Sequence, residues 1–251
     1  MVNENTLIYG LIGKKIGHSY SAKYFNKLFE EKDMNAKYLL FPLENINLFP
    51  ELLDKNINIH GLNVTVPYKE EVIQFLDEID NEAREIGAIN VIKVTNEEGE
   101  RKLKGYNTDV FGFKASLQPL LNPGNTRALV LGTGGASKAV AYALKSLGIT
   151  VTMVSRSETK GDITYNDLTK EIIQDNLLIV NTTPLGMFPE IDTCPPIPYE
   201  YITPQHLCYD VVYNPEETLF LKKSKKKGAQ VKNGLEMLRL QAEGASLIWG
   251  V

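Results

Sequence analysis

Apolar residues in this chain come in short continuous runs, separated by stretches whose apolar positions lie three and four apart. The runs read as buried strands and the stretches as helices with one apolar face. Leu7-Ile-Tyr-Gly-Leu-Ile12 is the first strand, and the loop Gly13-Lys-Lys-Ile-Gly17 follows it. After His18-Ser-Tyr-Ser21, Ser21 reads as the cap of a helix over 22–32, with Tyr24, Phe25, Leu28 and Phe29 at helical spacing. Lys37-Tyr-Leu-Leu-Phe41 reads as a second strand stopped by Pro42, and residues 46–55 as a helix. Ile59-His-Gly-Leu-Asn-Val-Thr-Val66 reads as a third strand, ended by Pro67. The pattern then predicts helices over 69–75 and 82–86 and a strand over 88–94. A hairpin turn at Asn96-Glu-Glu-Gly99 leads to a returning strand at 102–104.

The texture changes at Thr108. Residues 109–121 read as a helix linking two units, broken by Asn122-Pro-Gly-Asn125. Arg127-Ala-Leu-Val-Leu131 is wholly apolar after its first residue, as strands of a parallel sheet require. A glycine-rich turn, a helix over 137–147 ended by Gly148, and strands over 149–154, 176–180 and 207–212 follow. The last stretch, 234–249, is helical by pattern. Strands alternating with helices across short connections predict an α/β protein with a doubly wound sheet.

Composition narrows the function. With 251 residues the chain is long enough for one large domain or two modest ones. Its net charge of −4 argues against nucleic acid as the main partner, since phosphate binding needs a basic face. The one basic cluster, Lys222-Lys-Ser-Lys-Lys-Lys227 before Gly228, reads as the last turn of a surface helix. Cys194 and Cys208 are the only cysteines, without metal-ligand spacing, and fit a reducing compartment. His18, His60 and His206 lie far apart and read as ordinary polar positions, so no metal is expected. No basic leader opens the sequence and no apolar run approaches the length of a membrane span, so a cytoplasmic protein without a membrane partner is expected.

Three segments carry candidate chemistry. Gly132-Thr-Gly-Gly-Ala-Ser137 lies between a strand and a helix, the setting in which glycines let the backbone approach a pyrophosphate at a helix N-terminus. Ser137 stands where the usual pattern has its third glycine. The next strand ends in Ser155-Arg-Ser-Glu-Thr-Lys160, with no carboxylate at Ser155 to hold a ribose 2′-hydroxyl. Ser155, Arg156, Ser157 and Lys160 form a potential anion pocket for a 2′-phosphate, which favours NADP(H) over NAD; Glu158 runs against this. Asn63-Val-Thr-Val-Pro-Tyr-Lys69 and Gly105-Tyr-Asn-Thr-Asp109 place polar side chains in apolar strands, where they need buried partners. A lysine mounted after Pro67 and held by an aspartate can stabilise the charge that grows on a ketone oxygen and give it a proton. Lys69 and Asp109 are that candidate pair.

These segments together resemble the shikimate dehydrogenase family over nearly the full length. The matches are His18-Ser-Tyr-Ser21, Gly61-Leu-Asn-Val-Thr-Val-Pro-Tyr-Lys69, Gly87-Ala-Ile-Asn90, Gly105-Tyr-Asn-Thr-Asp109, Gly132-Thr-Gly-Gly135, Asn181-Thr-Thr-Pro-Leu-Gly-Met187, Tyr209-Asp-Val-Val-Tyr-Asn-Pro215 and Asn233-Gly-Leu-Glu-Met-Leu238 with Gln241. The resemblance implies NADPH-dependent reduction of 3-dehydroshikimate to shikimate on the route to chorismate and the aromatic amino acids. It implies two α/β domains: a substrate-binding and catalytic domain over 1–107 and a Rossmann-type NADP-binding domain over 108–232. A C-terminal helix, 233–251, would return to the first domain, and the protein would be a monomer or homodimer.

It also implies roles. Ser19 and Ser21 would bind the substrate carboxylate, with Tyr213 near it. Asn63, Thr65, Asn90, Asp109 and Gln241 would contact the ring hydroxyls, and Lys69 would be the acid/base paired with Asp109. Gly132, Gly134, Gly135 and Ala136 would cradle the cofactor pyrophosphate. Thr182, Met187 and Gly234 would lie near the nicotinamide, and Thr183 and Val211 would also bind the cofactor. The chain departs from the family at Ala22 and Phe25-Asn26, where proline and His-Asn are usual, and at Ser155-Arg-Ser157, where Asn-Arg-Thr with a further arginine is usual. Two alternatives remain on these residues: an NAD-dependent quinate/shikimate dehydrogenase, and a non-catalytic dinucleotide-binding sensor.

Overall fold

A computed structural model describes residues 5–17, 19–97 and 99–251. The N-terminal residues 1–4, His18, and Glu98 in the expected hairpin turn lie outside the described residues. The chain divides into two compact units, residues 1–108 with 242–251, and residues 109–241.

The first unit holds β1 (Leu7–Gly13), α1 (Tyr20–Glu31), β2 (Ala36–Pro42), α2 (Phe49–Lys55), β3 (Ile59–Val64), β4 (Glu78–Ile79), α3 (Asn81–Ile86), β5 (Val91–Glu97) and β6 (Glu100–Tyr106). Its six strands form one mixed sheet in the order β2-β1-β3-β5-β6-β4. β1 pairs in parallel with β2 and β3, and β5 runs antiparallel to β3 and β6. Both faces of the sheet are covered, because alternate residues of a strand point to opposite sides. Ile8 and Ile12 join Phe49, Leu62, Val72 and Ile92 on one side. Tyr9 and Leu11 join Phe25, Phe29, Tyr38 and Trp249 on the other.

The second unit holds α4 (Asp109–Leu117), β7 (Arg127–Leu131), α5 (Gly135–Ser146), β8 (Thr150–Ser155), β9 (Ile163–Thr164), α6 (Lys170–Asp175), β10 (Leu178–Asn181), β11 (Leu207–Asp210), α7 (Leu219–Lys225) and β12 (Gln230–Lys232). Its sheet is all parallel, in the order β12-β11-β10-β7-β8-β9, the doubly wound arrangement. Every residue of β10 and β11 is buried, as strands of a parallel sheet covered on both faces require. The order reverses between β7 and β10, and ligands of such sheets bind outside the strand ends at that point.

The last helix, α8 (Leu235–Trp249), starts in the second unit and finishes in the first. A Cβ at Gly112 of α4 would lie 2.6 Å from Met237 O and 2.9 Å from Gln241 N. That close packing ties the first turns of α8 to α4. Further on, Trp249 donates its indole N–H to Ile92 O at 3.0 Å and lies over Gly61, where a side chain would collide with the ring.

Several boundaries differ from the sequence reading. Ser19, not Ser21, caps α1. Residues 66–70 form a turn and Glu71–Phe75 a 3-10 helix in place of one helix over 69–75, because Tyr68 is pulled inward and donates its hydroxyl to Leu43 O at 2.6 Å. The linker helix stops at Leu117, where Pro119 tightens Gln118–Leu120 into a 3-10 turn. The strand expected over 88–94 begins at Val91, since Asn90 commits its side chain to Thr108.

Candidate active site

In the first unit a line of polar side chains runs through apolar surroundings. Ser19 is extended at φ −66°, ψ 129°, so its Oγ reaches forward to accept from Ser21 N at 3.2 Å and starts α1. Ser21 is buried and hydrogen-bonds the Tyr38 phenol. Tyr38 donates its hydroxyl to Asn63 Oδ1 at 2.7 Å. Asn63 Nδ2 donates to Asn90 O at 3.3 Å. Asn90 closes the line on Thr108, donating from Nδ2 to Oγ1 at 3.0 Å and accepting from the amide at 2.7 Å. Burial pushes the Tyr38 phenol well above its ordinary value, and the Ser21 bond only partly opposes that, so Tyr38 remains a donor at neutral pH.

The turn after β3 carries the next candidates. Thr65, half-buried, donates its amide to Ile12 O at 2.9 Å and accepts from Tyr68 N at 3.0 Å. Lys69 is half-buried, and its carbonyl accepts from Ile89 N at 2.7 Å, which fixes its backbone next to that of Asn90. Asn107, buried, donates to Ala88 O at 2.8 Å and holds the other side of the same corner. Ser19, Ser21, Asn63 and Asn90 thus share one hydrogen-bonded line, with Thr65 and Lys69 in the adjoining turn. Asp109, Tyr213 and Gln241 belong to the second unit. Asp109 is buried as the first residue of α4, Tyr213 is half-buried beyond β11, and Gln241 is buried with Nε2 donating to Leu238 O at 2.9 Å.

The second unit places the glycine turn at the end of β7. Gly132 has φ +113°, a left-handed backbone, and a Cβ there would lie 2.8 Å from Thr182 Oγ1. Gly134 is the N-cap of α5 and supplies no side chain to its first amides. Gly135 and Ala136 form the opening turn of α5. Those amides, with the positive end of the helix, make a site that accepts phosphate chemistry. Ser137, in the place of the third glycine, has its hydroxyl 2.6 Å from Thr182 Oγ1, which in turn donates to Leu131 O at 2.6 Å. This pins α5 to the loop after β10.

At the end of β8, Ser155 is buried and its Oγ accepts from Ser157 N at 3.1 Å. Arg156, Glu158 and Lys160 are exposed on the loop so formed. The Arg156 guanidinium opposes the rise that burial gives the Tyr165 phenol, which puts that charge within electrostatic reach of Tyr165. Beyond β10, Thr183 donates both its amide, at 3.0 Å, and its hydroxyl, at 2.6 Å, to Asn181 Oδ1. Met187 is exposed. Val211 N donates to Asn181 O at 3.0 Å, and Gly234 lies so close to Val211 that a Cβ would overlap its carbonyl.

Two other reactive side chains, Cys208 and His206, are buried. Burial pushes the Cys208 thiol up to about 12. His206 is buried, 3.0 Å from Ile173 O and 3.1 Å from Thr203 N. Sequence reasoning gave no role to Tyr38, Asn181 or Asp210, although Tyr38 links Ser21 to Asn63 and Asn181 links Thr183 to Val211. The available signal was a polar residue at the end of, or within, an otherwise apolar strand.

Fold and site define an α/β protein with a mixed-sheet unit bearing buried polar side chains and a doubly wound unit bearing a phosphate-type glycine turn. The family model of the shikimate dehydrogenase substrate binding domain matches residues 11–92. A shikimate dehydrogenase (NADP(+)) of Methanococcus aeolicus is 37% identical, covering 99% of this chain and 94% of its own. The crystal structure of the Aquifex aeolicus shikimate dehydrogenase is 38% identical, covers 99% of this chain and 94% of its own, and superposes with a TM-score of 0.86. A Thermus thermophilus enzyme solved with NADP(H) and shikimate is 30% identical, with a TM-score of 0.85 over 98% of this chain and 94% of its own. The chain belongs to the shikimate dehydrogenase family. Among the described residues, no helix is long and apolar enough to cross a membrane.

Proposed function

We propose that this protein catalyses the reversible, NADPH-dependent reduction of 3-dehydroshikimate to shikimate in the route to chorismate and the aromatic amino acids. In this reading most of the residues that hold the substrate come from the first unit, and those that hold the cofactor come from the second. The observation that carries it is the line Ser21–Tyr38–Asn63–Asn90–Thr108, which orients buried amides and hydroxyls next to the backbone of Lys69. Such a row suits a ligand rich in hydroxyl groups, because a fixed donor or acceptor rejects a partner that leaves it unpaired.

Ser19 and Ser21, with Tyr213, bind the substrate carboxylate. Ser19 Oγ already accepts from Ser21 N, and its own proton is left to donate to an anion. Asn63, Thr65, Asn90 and Gln241 hold the ring hydroxyls. Lys69 stabilises the negative charge that develops on the C3 oxygen and donates the proton to it. Asp109 is the proposed acidic partner of Lys69 in that step.

NADP(H) fits the second unit: the left-handed Gly132 keeps the turn free of side chains, and the first amides of α5 have no capping side chain. Gly132, Gly134, Gly135 and Ala136 would hold its pyrophosphate, and Ser155, Arg156, Ser157 and Lys160 its 2′-phosphate. Thr182, Thr183, Met187, Val211 and Gly234 would wall its nicotinamide end. When bound, the cofactor supplies the hydride and the electrons of the reduction. A cytoplasmic place belongs to this reading, supported by two unpaired thiols, Cys194 and Cys208.

The test is a near-ultraviolet assay of the purified chain with shikimate or quinate against NADP or NAD. Turnover that prefers shikimate and NADP supports the reading. Preference for quinate with NAD, or no absorbance change with any pair, overturns it.

A further inference from the structure

Asn181 and Asp210 end β10 and β11, stand opposite one another in the register, and are both 0% exposed. Two polar side chains sealed side by side at the ends of central apolar strands, beside the reversal in strand order, call for a reason. Their partners supply it. Asp210 Oδ1 accepts from Asn181 Nδ2 at 3.0 Å and from Val212 N at 3.0 Å. Asp210 Oδ2 accepts from Thr218 Oγ1 at 2.6 Å. Asn181, held in that orientation, turns its Oδ1 to the amide and hydroxyl of Thr183. Thr218 also caps α7 and packs against Gly186, where a Cβ would lie 3.3 Å from the Thr218 Cβ. One carboxyl group therefore joins the loop after β10, the turn after β11 and the start of α7.

We propose that Asp210 is a positioning residue for hydride transfer, a buried clamp that fixes the loops bearing Thr182, Thr183, Met187 and Val211. The proposal rests on the functional reading above, which assigns those loops to the nicotinamide end. Asp210 touches neither substrate nor cofactor. It acts by holding two loops at one spacing, and a displacement of about 1 Å at reacting atoms is enough to lower a rate by a factor of about 100. The geometry also specifies which replacement is tolerated. An asparagine at this position keeps an oxygen for the Asn181 and Val212 donors and turns its amide nitrogen to the Thr218 hydroxyl, which can accept. An alanine takes the acceptor from two buried donors, Val212 N and the Thr218 hydroxyl, and leaves Asn181 Nδ2 only its 3.5 Å bond to Leu185 O.

The test compares the full-length chain with its D210A, D210N and T218V variants. Three quantities are read: binding of adenosine 2′,5′-bisphosphate as a probe of the adenosine end, kcat and KM for 3-dehydroshikimate and NADPH, and the isotope effect with 4-deuterated NADPH. D210A should lose about tenfold or more in kcat with a raised isotope effect. Its KM for 3-dehydroshikimate and its affinity for the bisphosphate should stay within about threefold. D210N should restore turnover to within about threefold of the unchanged chain, and T218V should fall between the two. Unchanged kcat and isotope effect in D210A overturn the proposal, as does a D210N variant as impaired as D210A, or a loss shared equally by bisphosphate binding. Where D210A does not fold, T218V decides in the same way. An unchanged chain without turnover removes the functional reading and this proposal with it; an active one with an indifferent D210A removes the proposal alone.

Discussion

The Tyr38 hydroxyl donates to Asn63 Oδ1 at 2.7 Å, across two strands that are separated in the sheet by β1. The Tyr38 ring stacks on Phe25 with centroids 4.7 Å apart, so the phenol is held by packing and its proton has one direction. Replacing Tyr38 by Phe keeps the stack and removes the donor. Asn63 Oδ1 is then left buried without it, which costs about 1–3 kcal/mol of stability. Urea unfolding should show that loss, and the KM for shikimate should rise several-fold while that for NADP holds. An unchanged KM for shikimate would detach this line from substrate binding.

Lys69 is the proposed proton donor. Lys69→Ala should lower kcat by about 10²–10⁴, the usual worth of a placed acid/base. Shikimate affinity should stay within about tenfold, because the polar line remains intact. Near-normal turnover at substrate saturation would sink the assignment.

The same experiment on the cofactor side uses Arg156. Its guanidinium is exposed at the end of β8, over a loop closed by its own hydroxyls. Arg156→Ala should raise the KM for NADP about tenfold and leave that for NAD nearly unmoved, since only NADP carries the 2′-phosphate. Equal effects on both cofactors would place the 2′-phosphate elsewhere.

Asp210 makes stability depend on pH. Burial pushes its carboxyl up to about 7, more than the Thr218, Val212 and Asn181 donors pull it down. In an unfolded chain the group ionises near pH 4. Between those values the folded chain holds a proton that the unfolded chain has released. Its contribution is therefore complete below about pH 4 and is lost as pH climbs through about 7. Unfolding free energies at about pH 5 and about pH 7.5 should differ by on the order of 2–3 kcal/mol more in the unchanged chain than in D210N. The two proteins having the same slope would refute it.

Gly61 tests how α8 is seated. A side chain there would collide with the Trp249 indole, whose N–H is already fixed on Ile92 O. Gly61→Ala should destabilise the protein by about 1–3 kcal/mol through overpacking, visible as a lower Tm. A Tm at or above that of the unchanged chain would mean that the indole is free to move.

Local pattern decided a great deal on its own. The apolar runs at 128–131 and 207–209 are fully buried because both faces of a parallel strand need covering, and that requirement is written in consecutive residues. The glycine turn between β7 and α5 was equally legible, since a left-handed Gly132 and a bare helix start are local properties. The two-residue strands β4 and β9 were not, because so short a stretch carries no period and exists only by pairing with β6 and β8.

What the sequence could not fix is which distant residues meet. Tyr38 and Asn63, Asn90 and Thr108, and Asn181 and Asp210 are joined by strand order and register. Register is set by how whole faces pack, and a slip of one residue would turn each of these side chains away. The same holds for α8. Its helical character follows from its own spacing of apolar residues, but the seating of its two ends follows from Gly112 admitting its backbone and Gly61 admitting its tryptophan. Periodicity made the elements, and non-local packing chose the partners on which the proposed chemistry depends.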